Sequence, residues 1–287
     1  ESPGSEIIRV EQGLLPAVVV AGEPIPSYNI LERMEHYDVP GVSIAVVKDG
    51  KVHWAKGYGL ANTETGREVT AQTLFQAGSI SKPLAALAAL KLWEEGRLDL
   101  DTDVNTYLKN WKVPDTIYTV SEKVTMRRLL THTAGMTVHG FPGYAAGVGF
   151  PGLMKVLNGE GNTPRITVDT IPGSIWRYSG GGYTVMQKVV EDVSGQSLEG
   201  YMRDHILQPM GLKESTYQQP LGSKYAPYAS AAFNAEGEMV EGLWHNYPEQ
   251  AAAGHDAGLG VQRQQGAVVV EHFLEVRDHP PIIDGIA

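Results

Sequence analysis

The chain has 287 residues, with 23 Lys and Arg against 33 Asp and Glu, a net charge of −10 with His neutral, and no Cys. A chain of this length buries about 70% of its unfolded surface without covalent staples, and its negative charge disfavours nucleic acid and anionic membrane surfaces, which call for a positive patch. Zero Cys removes disulfides, thiolate catalysis and cysteine-ligated metals, so any nucleophile is oxygen or nitrogen.

No apolar run approaches the ~20 residues of a membrane span; the longest are 16–21 and 267–270. The first residue is Glu1, which fits a processed precursor or a trimmed chain, and a periplasmic or secreted location is favoured over the cytoplasm. Gly and Pro are scattered with no repeat, which predicts one compact domain or two interleaved ones.

Pro26-Ser27 opens a helix with Ile30, Leu31 and Met34 on one face, stopped by Pro40-Gly41. Two β-rich runs, Val42 to Val47 and Val52 to Tyr58, flank Asp49-Gly50, a dipeptide that tolerates the positive φ of a tight hairpin turn. Ser79 to Glu95 reads as a helix ended by Gly96, with Pro83 in its first turn; it is apolar nearly all round and so is expected to be buried. Thr125 caps a short helix through Leu130. Tyr183 to Val193 carries Val185, Met186, Val189, Val190 and Val193 at near-helical spacing before Gly195, and a further helix runs from Ser197 to Leu207, ahead of Pro209. Strands first and helices after predict an α+β protein, its helices segregated from the sheet.

The chemistry starts at Ser79-Ile80-Ser81-Lys82. A Ser and a Lys three apart at a helix start share a face, so an amine reaches the hydroxyl as its base, while the Ser79 amide at the positive helix end points at a forming oxyanion. Lys titrates near 10.4 in water, so this role needs about three units of depression by burial or a nearby cation. Alone the spacing is weak, since a chain this long contains about one such pair by chance.

The surrounding order of motifs is far more specific. Leu74-Phe75-Gln76-Ala77-Gly78-Ser79-Ile80-Ser81-Lys82 is followed by an apolar helix and then Glu94 to Asp101. Gly41 to Val47, Val124 to Met136 with Thr131-His132-Thr133-Ala134-Gly135, Trp176 to Tyr183 and Leu207 to Leu212 follow the same pattern. Together they resemble the serine β-lactamase and penicillin-binding protein superfamily, and more narrowly the class C β-lactamase-related serine hydrolases, which include esterases and D-amino-acid peptidases. The resemblance covers roughly residues 28 to 254. It implies a β-lactamase/transpeptidase-like fold, an antiparallel sheet with flanking helices plus a helical subdomain: sheet strands in 28–78, a mainly helical part in 79–220, and a divergent tail in 255–287.

By that resemblance Ser79 is the nucleophile, Lys82 its base and Tyr178 a proton relay to the leaving group, Tyr178-Ser179-Gly180 standing where the family has Tyr-x-Asn. Gly180 replaces an Asn whose amide contacts an acylamino carbonyl, which weakens a penicillinase reading more than an esterase one. Trp176, Tyr144, Phe141 and Tyr183 are candidate walls of an acyl pocket, each also an ordinary core aromatic. The resemblance implies a structural His132, a histidine holding a helix end by hydrogen bonds, and a Ser-His-Asp hydrolase using it lacks a Gly-x-Ser-x-Gly elbow around Ser79. No His-Glu-x-x-His or phosphate loop is present, so neither metal nor organic cofactor is expected.

The resemblance breaks after Gly254, 33 residues from the end. The family's third motif, Lys-[Ser/Thr]-Gly or His-x-Gly, has no match; His255-Asp256-Ala257-Gly258 has the wrong spacing and follows Tyr178 by only 77 residues. A shifted frame or early stop would produce such a break. The sheet is then expected to be incomplete, with an open edge filled by 268–270 and 273–276 or by a second copy through association or strand exchange. The leading expectation is a small-molecule ester, amide or β-lactam hydrolase with carboxylesters favoured; the alternative is an impaired fragment or scaffold that binds ligands or partners without turnover.

Overall fold

The computed structural model describes residues 3–234 and 236–258. They fall into two compact units, one formed by 3–73 with the 233–239 segment, the other by 74–232 and 240–258. The expected sheet-filling segments 268–270 and 273–276 lie outside the described residues.

In the first unit, helix α1 (Pro3–Glu11) and helix α2 (Ile30–His36) accompany strands β1 (Gly41–Lys48), β2 (Lys51–Asn62) and β3 (Arg67–Glu68), an antiparallel sheet of order β1-β2-β3. The hairpin forms at the expected dipeptide: Lys48 pairs with Lys51, and Asp49 and Gly50 take φ of 51° and 71°. Helix α2 starts at Ile30 because Asn29 caps it, its side chain accepting from the Leu31 amide. Ile30 and Met34 pack with Tyr58, Leu14, Val42 and Ile44, but Leu31 points to solvent at 57% exposure, so the expected three-residue face is a two-residue one. Helix α1 was not legible in sequence; it is tied to β2 by Glu6 on His53 and by Lys56 donating to Glu11 at 2.5 Å. Among the described residues β1 pairs only with β2, leaving its outer edge without a ladder partner.

The second unit begins with β4 (Phe75–Gln76) and a 3₁₀ turn, Gly78–Ile80, that runs into α3 (Ser81–Glu94). Ala85, Ala88, Ala89 and Leu92 of α3 are fully buried, whereas Leu90 and Trp93 are exposed, so α3 has a solvent face that its apolar composition conceals. Then come α4 (Met126–Leu130), capped by Thr125 as expected, β5 (Tyr144–Ala145), α5 (Leu153–Leu157) and α6 (Gly180–Ser194). Helix α6 begins three residues before the expected start because Ser179 caps it by accepting from the Gly182 amide at 2.9 Å. The glycine at 181 is required there: a Cβ would stand 2.4 Å from the Thr137 carbonyl oxygen. Helix α7 (Leu198–Met202), capped by Ser197, continues as a π turn, Arg203–Leu207, and stops before Pro209 as the sequence predicts. Strand β6 (Ser215–Thr216), strand β7 (His245–Asn246), helix α8 (Gln250–Ala253) and strand β8 (Asp256–Ala257) complete the described chain.

Helices α3, α6 and α8 pack on one another, with Val185, Met186, Val189 and Val190 of α6 inaccessible to solvent at their centre. Beside them β8 inserts between β4 and β6, antiparallel to both. The segment His255 to Gly258 therefore closes a small sheet beside the turn that carries Ser79. Among the described residues no helix is long and apolar enough to cross a membrane.

Candidate active site

Ser79 sits in the 3₁₀ turn rather than in the first turn of α3, and its side chain is open to solvent. Four hydrogen bonds hold that turn. Ser81, fully buried, donates from Oγ to the Gly78 carbonyl at 2.5 Å and accepts the His255 amide at 3.0 Å. The Ala77 amide donates to the His255 carbonyl at 2.9 Å, and the Tyr217 hydroxyl donates to the Ser81 carbonyl at 2.7 Å. Ser81 and Tyr217 were not singled out in sequence; a second Ser inside Ser-x-x-Lys was the only available signal.

Lys82 lies one turn into the helix and is 5% exposed. Its Nζ donates to Ser79 Oγ at 3.0 Å and to the Ala252 carbonyl at 2.8 Å. Burial pushes the amine below its ordinary value, opposed by a hydrogen bond to Tyr178 and that group's charge. The direction is the one that a lysine acting as a base calls for, and desolvation is its main cause.

Tyr178 is half-buried, with its ring centroid 4.8 Å from Lys82 Nζ. Two imidazoles flank the ring, His132 with centroids 4.4 Å apart and His139 at 4.9 Å. His132 also lies against Tyr183, and its Nδ1 accepts the Ser179 amide at 3.1 Å. Accepting at Nδ1 requires the neutral ring, and burial, followed by the nearby charges of Lys82 and His139, holds His132 below its ordinary value. Its geometry is that of a brace for Tyr178. His139 was missed in sequence, being a lone His in a Gly-rich stretch.

The remaining residues divide. Trp176 meets His132 edge-on at 6.1 Å and is 68% exposed, so it lies at the surface beside His132 rather than in the core. Gly180 occupies the first position of α6, where a Cβ would come within 3.0 Å of the His139 carbonyl oxygen and of the Phe141 ring. Tyr183 is buried, and its hydroxyl donates to the Leu130 carbonyl at 3.1 Å; burial pushes that phenol up to about 12. Tyr144 stands apart: its hydroxyl accepts the Asn162 amide at 2.9 Å and its ring meets Phe150, with no hydrogen bond or ring contact to Ser79, Lys82 or Tyr178. Among the described residues no three His, Asp or Glu side chains converge in a metal-holding group.

The Beta-lactamase family profile matches residues 29–259. Penicillin-binding protein 4 of Amycolatopsis lactamdurans is 33% identical over 183 residues, 64% of this chain and 46% of that protein. Esterase EstB of Burkholderia gladioli is 29% identical over 201 residues, 66% of this chain and 50% of the esterase. The chain thus spans about half the length of the curated relatives it matches. Among solved structures, the octameric penicillin-binding protein homologue from Pyrococcus abyssi superimposes with a TM-score of 0.63 at 29% identity, covering 80% of this chain and 52% of that one.

Proposed function

Since the chain belongs to the Beta-lactamase family and has its β-lactamase/transpeptidase fold, we propose that it hydrolyses small carboxylic esters through an acyl-enzyme on Ser79. The observation that carries this reading is one buried amine, Lys82 Nζ, within 3.0 Å of an exposed serine hydroxyl and against the Tyr178 ring. Ser79 Oγ attacks the carbonyl carbon while its proton passes to neutral Lys82. The C–O bond to the leaving group then breaks, and the departing alkoxide takes a proton by way of Tyr178. Water next adds to the acyl carbon and passes one proton through the same pair to Ser79 Oγ as the acyl–Oγ bond breaks, and the acid product leaves as a carboxylate, its remaining proton going to solvent.

Esters rank ahead of β-lactams and D-amino-acid peptides on two grounds. Gly180 offers no side-chain amide to an acylamino carbonyl, and an alkoxide of good leaving ability depends least on a full oxyanion hole, of which one donor is worth about 10²–10³ in rate. Similarity to Esterase EstB supports the ranking, and similarity to Penicillin-binding protein 4 keeps the amide substrates second. Trp176, exposed beside His132, would lie along an apolar substituent of the ester. The open edge of β1 supports pairing with a second copy of this chain.

A second reading is ligand binding without turnover. Hydrolysis of p-nitrophenyl acetate and of a chromogenic cephalosporin, with the adduct mapped by mass spectrometry, separates the two. Turnover with an adduct on Ser79 supports the ester hydrolase; stable binding with no adduct supports the scaffold.

A further inference from the structure

Lys82 is held on one side by Ser79 and on the other by α8, through the Ala252 carbonyl. That four-residue helix has a short support. Glu249, the residue before it, accepts through its backbone carbonyl from the Ala252 amide at 2.9 Å and the Ala253 amide at 3.0 Å. Gln187 of α6 grips the same stretch, donating to the Pro248 carbonyl at 3.2 Å and accepting from the Ala251 amide at 3.1 Å.

The Glu249 side chain is wholly buried, and neither carboxyl oxygen has a hydrogen-bond partner among the described residues. It does not cap α8 either. A neutral acid survives there at moderate cost, whereas a carboxylate without partner or water is far more costly and drives its surroundings to rearrange. Burial accordingly pushes this acid up to about 7, so the two forms exchange near neutral pH.

We infer that Glu249 is a positioning residue for Lys82: while its buried carboxyl is neutral, the first turn of α8 stays where the Glu249 backbone carbonyl and Gln187 hold it, and its ionisation withdraws the Ala252 carbonyl from the amine. The inference rests on the reading of Lys82 as the base. The other titratable groups on the packed elements are Lys82 on α3, Glu191 and the Lys188–Asp192 ion pair on α6, and Tyr201 on α7. Tyr247 and Asp256 flank α8 in the chain, and burial, then the charges of Glu249 and Asp256, raises the Tyr247 phenol. None of these supplies a positive partner to Glu249, whose acid is raised by desolvation. The effect on Lys82 therefore travels through α8 rather than through a direct ion pair.

The test compares the full chain with Glu249→Gln, which stays neutral at every pH. One arm follows the rate at which a fluorophosphonate labels Ser79, with Ser79→Ala as control, at about pH 6 and about pH 8.5, either side of the Glu249 transition. The other arm titrates the Lys82 Cε and the Ala252 and Ala253 amide resonances by NMR, which needs no turnover. The expected result is an inflection near pH 7 in all three resonances, absent from Glu249→Gln, and an alkaline-to-acid rate ratio several-fold higher in the variant. Superimposable titrations, or α8 amides that titrate while Lys82 does not, overturn the inference. A uniform loss of labelling with an unchanged ratio also overturns it, because it marks a merely structural role. Absence of Ser79 labelling with the Lys82 inflection intact would overturn the hydrolase reading and leave the coupling standing. Should Glu249→Gln not fold, the wild-type resonances decide: no inflection near pH 7 rejects the inference.

Discussion

Lys82 and Ala252 stand 170 positions apart in sequence, and the amine donates to the Ala252 carbonyl at 2.8 Å. That contact fixes where the nitrogen points, while burial keeps the ammonium form unfavourable. Substitution of Lys82 by Ala is expected to lower Ser79 labelling by about 10²–10⁴, the worth of a positioned base. Arg does not rescue it, because a guanidinium does not give up its proton in this range. Labelling by a fluorophosphonate, read as a rate against pH, checks both; wild-type reactivity rises with pH through a Lys82 titration below that of a free lysine.

Ser81 is predicted to matter for the turn rather than for the chemistry. Its hydroxyl serves the Gly78 carbonyl and the His255 amide at once, and Ser81→Ala leaves the buried His255 amide without that partner, while the Gly78 carbonyl keeps the Ser81 backbone amide. The expected cost is about 1–3 kcal/mol, a fall in Tm of roughly 3–8 °C by calorimetry. An unchanged Tm would mean that the turn is held without it.

The start of α6 gives a steric prediction. Gly181→Ala places a Cβ 2.4 Å from the Thr137 carbonyl oxygen, and that carbonyl also accepts the Ser179 hydroxyl at 2.8 Å beside Tyr178. Destabilisation of about 1–3 kcal/mol is expected, with slower labelling of Ser79. Gly149→Ala, where nothing lies within 4 Å, is the control and should stay within about 0.5 kcal/mol. Denaturant midpoints measure both.

Much of this arrangement was legible beforehand because it is local. Asp49-Gly50 announces its hairpin, Thr125 its cap, and Gly195 the end of α6, since each rests on contacts within a few residues. Ser79, Lys82 and Tyr178 were found through ordered motifs, the first two also through helical spacing. What sequence hid is long-range. Helix α1 is tied to β2 by Glu6 and Glu11 meeting His53 and Lys56. The brace of Tyr178 depends on His139 arriving from another loop, and the exposed face of α3 depends on what its neighbours leave uncovered. Tyr144 was a candidate pocket wall in sequence, and the structure shows its hydroxyl accepting the Asn162 amide, a contact no local pattern announces.

Stability should fall as pH rises across the Glu249 transition. Between the ordinary value of 4.5 and about 7 the folded chain holds a proton that the unfolded chain has released, so the contribution is fully present below 4.5 and is gone above about 7. The loss amounts to about 3 kcal/mol at most. Chemical denaturation at a series of pH values measures it, and Glu249→Gln removes this slope while leaving any other.

His132 acts in the opposite direction. Its folded-state value lies below the ordinary 6.5, so the unfolded chain takes up the proton first and stability falls as pH drops below 6.5. Protonation also removes the Nδ1 lone pair that accepts the Ser179 amide. His132→Asn should flatten the acid side of the stability profile, and a variant profile that overlays the wild type would reject the brace.

The central claim, that Ser79 is a nucleophile activated by Lys82, is tested most directly by intact-protein mass spectrometry after exposure to p-nitrophenyl acetate, with peptide mapping. The account predicts one acetyl group on Ser79, absent from Ser79→Ala and nearly absent from Lys82→Ala. Acetylation that persists in Ser79→Ala at the same level, or no adduct on the wild-type chain, contradicts it.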